Sequence, residues 1–304
     1  MTEPGSLEHP QASRTGWSAP RADIAARIAA LGAAFDRDIL LATRELFADQ
    51  MRTDLPASGR VVDNVPYGED ERQRLDVFTP GGEKRPIVVF VPGGGFVGGD
   101  RRGYKALGAY FARNGFVAVV PDYRLAPAHS WPAGAHDVAA VIDWAIARAE
   151  TYGGDPGRIF VFGQSAGATH AAGALFDPDL RPSGIAAVRG AVLMNGIHRM
   201  TAADRAPNML QYFGEDASLY EQRSPLTHVG ASRIPLLLIL TEFDPTFLAT
   251  GTLELATAAT IRDGSCPPLL WLRGHNHVSP LFALGTDSDG AGPAILEFLR
   301  RVAE

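Results

Sequence analysis

The feature that most constrains the fold of this 304-residue chain is a regular alternation of short apolar runs with longer helical patterns. The run Ile-Val-Val-Phe-Val at 87–91 is continuous, rich in β-branched residues and bounded by proline on both sides. Such a run is typical of a strand that is buried on both faces of a sheet. Because helical patterns follow most of these runs, the strands are expected to be joined by crossover helices. The sequence therefore predicts an α/β fold, with a mainly parallel central sheet and helices on both faces.

The predicted elements follow one another along the chain without an internal repeat. Strands are predicted at 60–65, 72–78, 87–91, 116–120, 159–163, 187–195, 235–241 and 268–272. Helices are predicted at 104–114, 133–152, 166–175, 246–262 and 293–302, with a further pair inside 22–51.

Composition and charge exclude several classes of function. The net charge of -6 and the pI of about 5.8 argue against a nucleic-acid partner, which usually requires a basic face. A single cysteine, Cys266, excludes an internal disulfide. The first residues lack the pattern of a signal peptide, and no apolar stretch is long enough to predict a transmembrane helix. We therefore expect a cytoplasmic protein with neither a nucleic acid nor a membrane as partner.

The strongest chemical signal is the sequence Gly-Gln-Ser-Ala-Gly at 163–167. The pattern G-x-S-x-G is common by chance, but here a buried strand precedes it and a helix follows it. A nucleophile elbow requires this strand–turn–helix context, in which glycines flank a strained and exposed serine. We therefore predict that Ser165 is the nucleophile of a serine hydrolase of the α/β-hydrolase fold. The amide of the next residue, Ala166, is then one oxyanion donor.

A serine hydroxyl needs a base and an acid, and in this fold the chain order is Ser, acid, His. Asp244 lies in the turn after the next-to-last predicted strand, and we favour it as the acid over Glu242. His275 and His277 follow the last predicted strand, and the residues alone leave both open as the base. Two histidines with a carboxylate also suggest a metal site, but no third ligand has supporting spacing. We expect neither a metal nor a cofactor.

A glycine-rich loop, Pro-Gly-Gly-Gly-Phe at 92–96, follows the buried strand at 87–91. Glycines let backbone N–H groups approach a substrate oxygen, as an oxyanion hole requires. Further landmarks are Asp-Tyr-Arg-Leu-Ala-Pro at 122–127, Trp-Pro-Ala at 131–133 and Gly-Asp-Pro-Gly-Arg-Ile at 154–159. Together with the elbow, these segments resemble the hormone-sensitive-lipase-like branch of carboxylesterases in the α/β-hydrolase superfamily. The resemblance runs from about residue 87 to the C-terminus.

The resemblance implies further assignments. The base of this branch follows a Gly-x-x-His pattern, which implies His277. The acid corresponds to Asp244, and the oxyanion donors correspond to Gly93, Gly94 and Ala166.

Pro92 is the main departure from the family, which has histidine at the start of the glycine loop. In the family this histidine braces the oxyanion loop and neither attacks nor protonates the substrate. Proline fixes φ, so we expect it to brace the loop differently and to affect rate or substrate choice. The expected triad is unaffected.

The resemblance also implies a small helical cap over the pocket. We accordingly divide the chain into a flexible N-terminal tail at 1–20, an N-terminal helical cap segment at 21–55 and an α/β-hydrolase catalytic domain at 56–304. A cap insertion is expected around 196–232. This insertion holds an apolar and aromatic set that either contributes to substrate specificity or packs the cap on the body. Its members are Met200, Met209, Leu210, Tyr212, Phe213 and Tyr220.

These observations predict a serine carboxylesterase that hydrolyses short-chain or small aromatic carboxylic esters through an acyl-enzyme on Ser165. Its expected partner is a small-molecule ester substrate, and the resemblance makes a homodimer a candidate assembly. Two alternatives stay open. One is an amidase or aryl-formamidase with the same triad, and the other is a non-catalytic small-molecule-binding protein on a hydrolase scaffold.

Overall fold

The computed structural model describes residues 19–203 and 206–303, so all but the last two residues of the predicted tail lie outside it. Eight strands and eleven α-helices occur in the described residues. The strands are β1 (Arg60–Pro66), β2 (Arg74–Thr79), β3 (Arg85–Val91), β4 (Val117–Pro121), β5 (Gly154–Gln164), β6 (Val188–Met194), β7 (Leu236–Phe243) and β8 (Leu269–Asn276). The helices are α1 (Ala22–Leu31), α2 (Arg37–Glu45), α3 (Lys105–Arg113), α4 (Ala133–Arg148), α5 (Ala166–Phe176), α6 (Pro207–Phe213), α7 (Tyr220–Arg223), α8 (Pro225–His228), α9 (Thr246–Asp263), α10 (Ser279–Ala283) and α11 (Gly292–Arg301). None of these helices is long and apolar enough to cross a membrane.

The strands form one sheet in the order β1-β2-β4-β3-β5-β6-β7-β8. β2 pairs antiparallel with β1 and with β4, whereas every pairing from β4 to β8 is parallel. The carboxyl ends of parallel strands lie along one edge of a sheet, where α/β folds bind ligands. The loops that follow β3, β5, β7 and β8 therefore meet at this edge.

Two apolar cores lie on opposite faces of the sheet. Val89 and Phe90 are neighbours in β3 and contribute to different cores, because successive side chains of a strand point to opposite faces. Residues of α4, α5 and α9 cover the Val89 side, and residues of α3 and α11 cover the Phe90 side. Each large apolar side chain buried in these layers contributes about 1.5–3 kcal/mol. The predicted sheet with helices on both faces is confirmed.

β8 is longer than predicted, because it ends at Asn276 rather than at residue 272. It is one of the two edge strands, and alternate side chains along its first half are exposed, so the polar Arg273 does not interrupt it. Pairing with β7 continues as far as Asn276. As a result, His275 lies within the strand and His277 directly follows it.

The two N-terminal helices pack against the segment that follows β8. Ile24 and Ile28 of α1 form a buried apolar cluster with Phe47, Val278 and Phe282. The N-terminal helices therefore lie at the same edge of the sheet as the loops that follow the parallel strands.

The short helices α6, α7 and α8 lie in the segment where a cap insertion is predicted. Most of its apolar and aromatic set is buried in one cluster with Phe96 of the glycine loop; these members are Met200, Met209, Tyr212, Phe213 and Tyr220. The Tyr212 ring stacks on the Phe96 ring at 4.6 Å between centroids. Of the two interpretations of this set, the structure favours packing against the body of the protein.

Candidate active site

Ser165 lies in the turn between β5 and α5. Its backbone has φ 53° and ψ −127°, a conformation that residues other than glycine rarely adopt and that costs about 1–3 kcal/mol. The turn is crowded, because a Cβ added to Gly167 would lie 2.1 Å from the carbonyl oxygen of Val91. The chain around Ser165 therefore has the strand, tight turn and helix that the sequence predicts.

Ser165, His277 and Asp244 form a continuous hydrogen-bonded chain of buried side chains. His277 Nε2 lies 2.9 Å from Ser165 Oγ, and His277 Nδ1 lies 3.0 Å from Asp244 Oδ1. The other carboxylate oxygen, Asp244 Oδ2, accepts a hydrogen bond from the Thr241 N–H at 2.8 Å. A carboxylate at Nδ1 favours the tautomer in which Nε2 accepts a proton. The geometry therefore suits removal of the proton from the Ser165 hydroxyl.

The alternative acid and base make other contacts. Glu242 lies within β7, and its carboxylate accepts a hydrogen bond from the Gly274 N–H at 2.7 Å. His275 is buried in β8 with Nδ1 2.9 Å from Ser279 Oγ, and burial lowers the pKa of His275 to about 4. Within the described residues, neither side chain is hydrogen-bonded to Ser165, and no cluster of three acidic, histidine or cysteine side chains suits a metal ion.

The glycine loop after β3 lies directly against the nucleophile. A Cβ added to Gly93 would lie 3.0 Å from Ser165 Cβ and 2.3 Å from Gln164 Oε1, so a side chain does not fit there. Gly93 and Gly94 line the same cavity as Ser165. Ala166 is the first residue of α5, where backbone N–H groups without intrahelical partners favour negative charge. The structure thus places Gly93 and Gly94 beside Ser165 in the cavity, while Ala166 directly follows Ser165 at the start of α5.

The glycine loop is braced without the histidine that the family has at its start. The buried Tyr123 hydroxyl donates a hydrogen bond to the Pro92 carbonyl oxygen at 2.9 Å. From α6, Asn208 Nδ2 donates to the Gly95 carbonyl oxygen at 3.0 Å. In both contacts a carbonyl oxygen of the loop is the acceptor, so neither contact occupies a backbone N–H group of the loop.

Two buried amide side chains that the sequence analysis did not single out hold the backbone of His277. Gln164 Nε2 and Asn195 Nδ2 each donate a hydrogen bond to the His277 carbonyl oxygen, both at 3.1 Å. Gln164 is the last residue of β5, and Asn195 directly follows β6. Because a buried amide without a partner is costly, these bonds restrict the position of His277. A polar residue at the carboxyl end of a buried parallel strand is the signal that identifies such groups.

A cavity of about 180 Å³ opens beside Ser165. Its apolar side chains are Phe35, Leu40, Leu41, Val278 and Phe282. Its other side chains include Arg44, Asp100, Tyr104 and Gln164. The Phe35 ring also meets the His277 ring edge-on at 4.8 Å between centroids. The apolar part of this lining thus comes from α2 and Phe35 shortly before it, and from Val278 and α10. The aromatic set of α6 and α7 does not contribute to the described lining.

Comparisons with known proteins agree with this fold. A family model described as alpha/beta hydrolase fold matches residues 88–260. Esterase LipQ of Mycobacterium tuberculosis is 30% identical over 222 residues, which are 66% of this chain and 52% of LipQ. Esterase LipC of the same organism is 43% identical over 108 residues, which are 34% of this chain and 27% of LipC.

Among solved structures, a hyperthermophilic esterase from Pyrobaculum calidifontis superposes with a TM-score of 0.70 at 24% identity, covering 94% of this chain and 98% of that chain. By contrast, the chain spans about half the length of LipQ and about a quarter of LipC. The predicted fold class is confirmed by these matches.

Proposed function

This chain belongs to the α/β-hydrolase fold family, and from that premise we propose that it is a serine carboxylesterase that forms an acyl-enzyme on Ser165. One observation carries the proposal: the hydrogen-bonded chain that runs from Ser165 Oγ through His277 to Asp244. The adjoining cavity gives a substrate access to the serine. The relatives LipQ and LipC are named esterases, which supports ester hydrolysis as the reaction.

In the proposed reaction, the Ser165 hydroxyl oxygen attacks the ester carbonyl carbon while His277 Nε2 takes the hydroxyl proton. Asp244 keeps the imidazole oriented through Nδ1 and stabilises its charged form. The ester alcohol then leaves with the proton from His277, and the acyl group stays on the serine. Water repeats the sequence, and the acid is released.

Negative charge develops on the substrate carbonyl oxygen in both halves of this cycle. We assign its stabilisation to the backbone amides of Gly93, Gly94 and Ala166. A positioned donor of this kind lowers the barrier by about 3 kcal/mol. None of these steps uses a metal or a cofactor.

The volume and the lining of the cavity support the proposal that the acyl group of the substrate is a short chain or a small aromatic group. Its volume of about 180 Å³ is small for a ligand site, and Phe35, Leu40 and Leu41 line it with apolar surface. Because the Phe35 ring also contacts His277, it limits the space next to the reacting atoms. A long acyl chain would have to extend from the cavity into solvent.

Hydrolysis of 4-nitrophenyl esters from acetate to dodecanoate, with 4-nitroanilides as matched amides, tests this function. We expect turnover of the short esters, a decline with chain length and little turnover of the amides. A 4-nitrophenyl alkylphosphonate should add once to the intact protein, and peptide mass spectrometry should locate the adduct on Ser165. A folded protein that neither hydrolyses any ester nor reacts with the phosphonate would overturn the proposal.

Asp244→Asn is expected to lower kcat for 4-nitrophenyl acetate by about 10⁴-fold. The amide preserves the size of the side chain but holds the imidazole in the wrong tautomer and does not stabilise its charged form. Glu242→Gln is the matched control, because it makes the same chemical change two residues earlier and its amide oxygen can still accept from Gly274. Steady-state kinetics on both variants decides the assignment. A larger loss in Glu242→Gln than in Asp244→Asn would transfer the role to Glu242.

A further inference from the structure

The cavity beside Ser165 contains a positive charge that no carboxylate neutralises. Among the described residues that line it, the charged ones are Arg44 and Asp100. Asp100 is already paired, because Arg102 Nε donates hydrogen bonds to its two oxygens at 2.9 and 3.0 Å. Within the described part of the chain, the Arg44 guanidinium has neither an ion pair nor a hydrogen-bond acceptor. Arg44 is exposed, and it therefore contributes to the lining a solvent-facing charge that has no carboxylate partner among the described residues.

Tyr104 adds a second donor to the same cavity. Its ring packs against Phe90 at 5.1 Å between centroids, while its hydroxyl has no hydrogen-bond partner among residues 19–203 and 206–303. Burial raises the pKa of Tyr104 to about 12, so the hydroxyl keeps its proton at neutral pH. Arg44 and Tyr104 both line this cavity, so the two groups face the same space.

These two groups match one kind of ligand chemistry. A guanidinium only donates hydrogen bonds, and a phenol that keeps its proton can donate one more. Both therefore suit an anionic acceptor, and a carboxylate accepts from an arginine with favourable planar geometry. A purely apolar acyl group would leave both donors without an acceptor from the substrate.

We propose that the substrate is a small ester that also carries a carboxylate, and that Arg44 and Tyr104 bind this carboxylate while Ser165 attacks the ester. The inference rests on the proposed esterase function and specifies its substrate class. The cavity volume of about 180 Å³ limits the spacer between the two groups to a short chain or a small ring. Substrate specificity would then come from Arg44 on helix α2 and from Tyr104, which directly precedes α3.

Two matched pairs of substrates test this inference. Monoethyl glutarate carries a carboxylate on the acyl side of the ester, and ethyl glutaramate carries a neutral amide in the same position. The pair 4-acetoxybenzoate and 4-acetoxybenzamide makes the same change on the alcohol side. The readout is the ratio of kcat/KM, charged over neutral member, measured by pH-stat at neutral pH. Because both members are measured on one preparation, the ratio does not depend on the fraction of folded protein.

We expect the wild type to prefer the charged member of at least one pair, and that pair identifies the side that carries the carboxylate. Arg44→Gln should lower this ratio by about tenfold, the usual effect of losing a hydrogen bond to a charged group. Tyr104→Phe should lower it severalfold. The matched control is Arg37→Gln, since Arg37 is an exposed arginine of the same helix that does not line the cavity. Its ratio should equal that of the wild type.

A wild-type ratio at or below unity in both pairs, or a ratio unchanged in Arg44→Gln, overturns the inference while esterase activity stands. If the wild type hydrolyses no member of either pair, no ratio is defined, and the proposed function is judged separately on the 4-nitrophenyl esters and the phosphonate. Calorimetric titration of Ser165→Ala with monoethyl glutarate and with 4-acetoxybenzoate then decides the inference. Binding that is lost when Arg44→Gln is added supports it, and absence of binding by both compounds overturns it.

Discussion

Ser165→Ala is expected to lower kcat for 4-nitrophenyl acetate by about 10⁶-fold and to abolish phosphonate labelling. The substitution removes the one atom that forms the acyl bond, and the hydrogen bond from Ser165 Oγ to His277 Nε2 at 2.9 Å disappears with it. Some rate above the uncatalysed reaction should remain, because the oxyanion donors and the cavity still bind the ester. The measurement is kcat at high enzyme concentration, with circular dichroism to confirm that the variant is folded.

Ser183→Ala is the matched control for this substitution. Ser183 lies in an exposed loop, where its hydroxyl donates a hydrogen bond to Asp143 at 2.8 Å. The control should keep the wild-type kcat and incorporate phosphonate normally. Turnover by Ser165→Ala above about a hundredth of the wild-type rate would mean that another group acts as nucleophile, since triad serines contribute far more than this factor.

His277→Gln is expected to lower kcat by a similar factor of about 10⁶. The serine hydroxyl then lacks the base that takes its proton, and the leaving alcohol lacks the acid that supplies one. Glutamine fills much of the same volume and its backbone can still accept from Gln164 and Asn195, so the loop should stay in place. The variant should also fail to react with the phosphonate, which reports activation of the serine independently of turnover.

His275→Gln distinguishes the two histidines. His275 is buried and hydrogen-bonded to Ser279, so this variant is expected to unfold at a lower temperature than the wild type. Its kcat per phosphonate-reactive site should nevertheless stay close to that of the wild type. A loss of kcat in His275→Gln that matches the loss in His277→Gln would identify His275 as the base.

Patterns within single elements were sufficient for the fold class and for the elbow. A parallel strand buried on both faces must be continuously apolar, and this property is visible in residues 87–91 without any knowledge of their neighbours. The turn at Ser165 likewise depends on the residues directly beside it, because small residues there permit the tight passage from strand to helix. Edge strands are harder to recognise, and the pattern predicts β8 too short because the exposed face of this strand tolerates polar residues.

The composition of the site depends on contacts between distant parts of the chain. Ser165 and His277 are separated by 112 positions, and the register of β8 against β7 decides which histidine reaches the serine. The amides of Gln164 and Asn195 acquire a common partner only where the ends of β5 and β6 meet the loop after β8. The strands, helices and elbow can be predicted locally, because their periodicity and turn chemistry depend on neighbouring residues. The site itself depends on which distant residues the folded chain brings together.

The residues that line the cavity are the clearest example of a feature that only the tertiary structure decides. The aromatic residues of α6 and α7 and the apolar residues of α2 both lie in segments predicted to form the cap, and the sequence does not rank them as pocket residues. In the folded protein the first group packs on Phe96, whereas α2 brings Leu40, Leu41 and Arg44 to the cavity. Apolar side chains stabilise a core or a pocket through the same burial of surface. Which of the two they form depends on the packing of whole helices against the sheet.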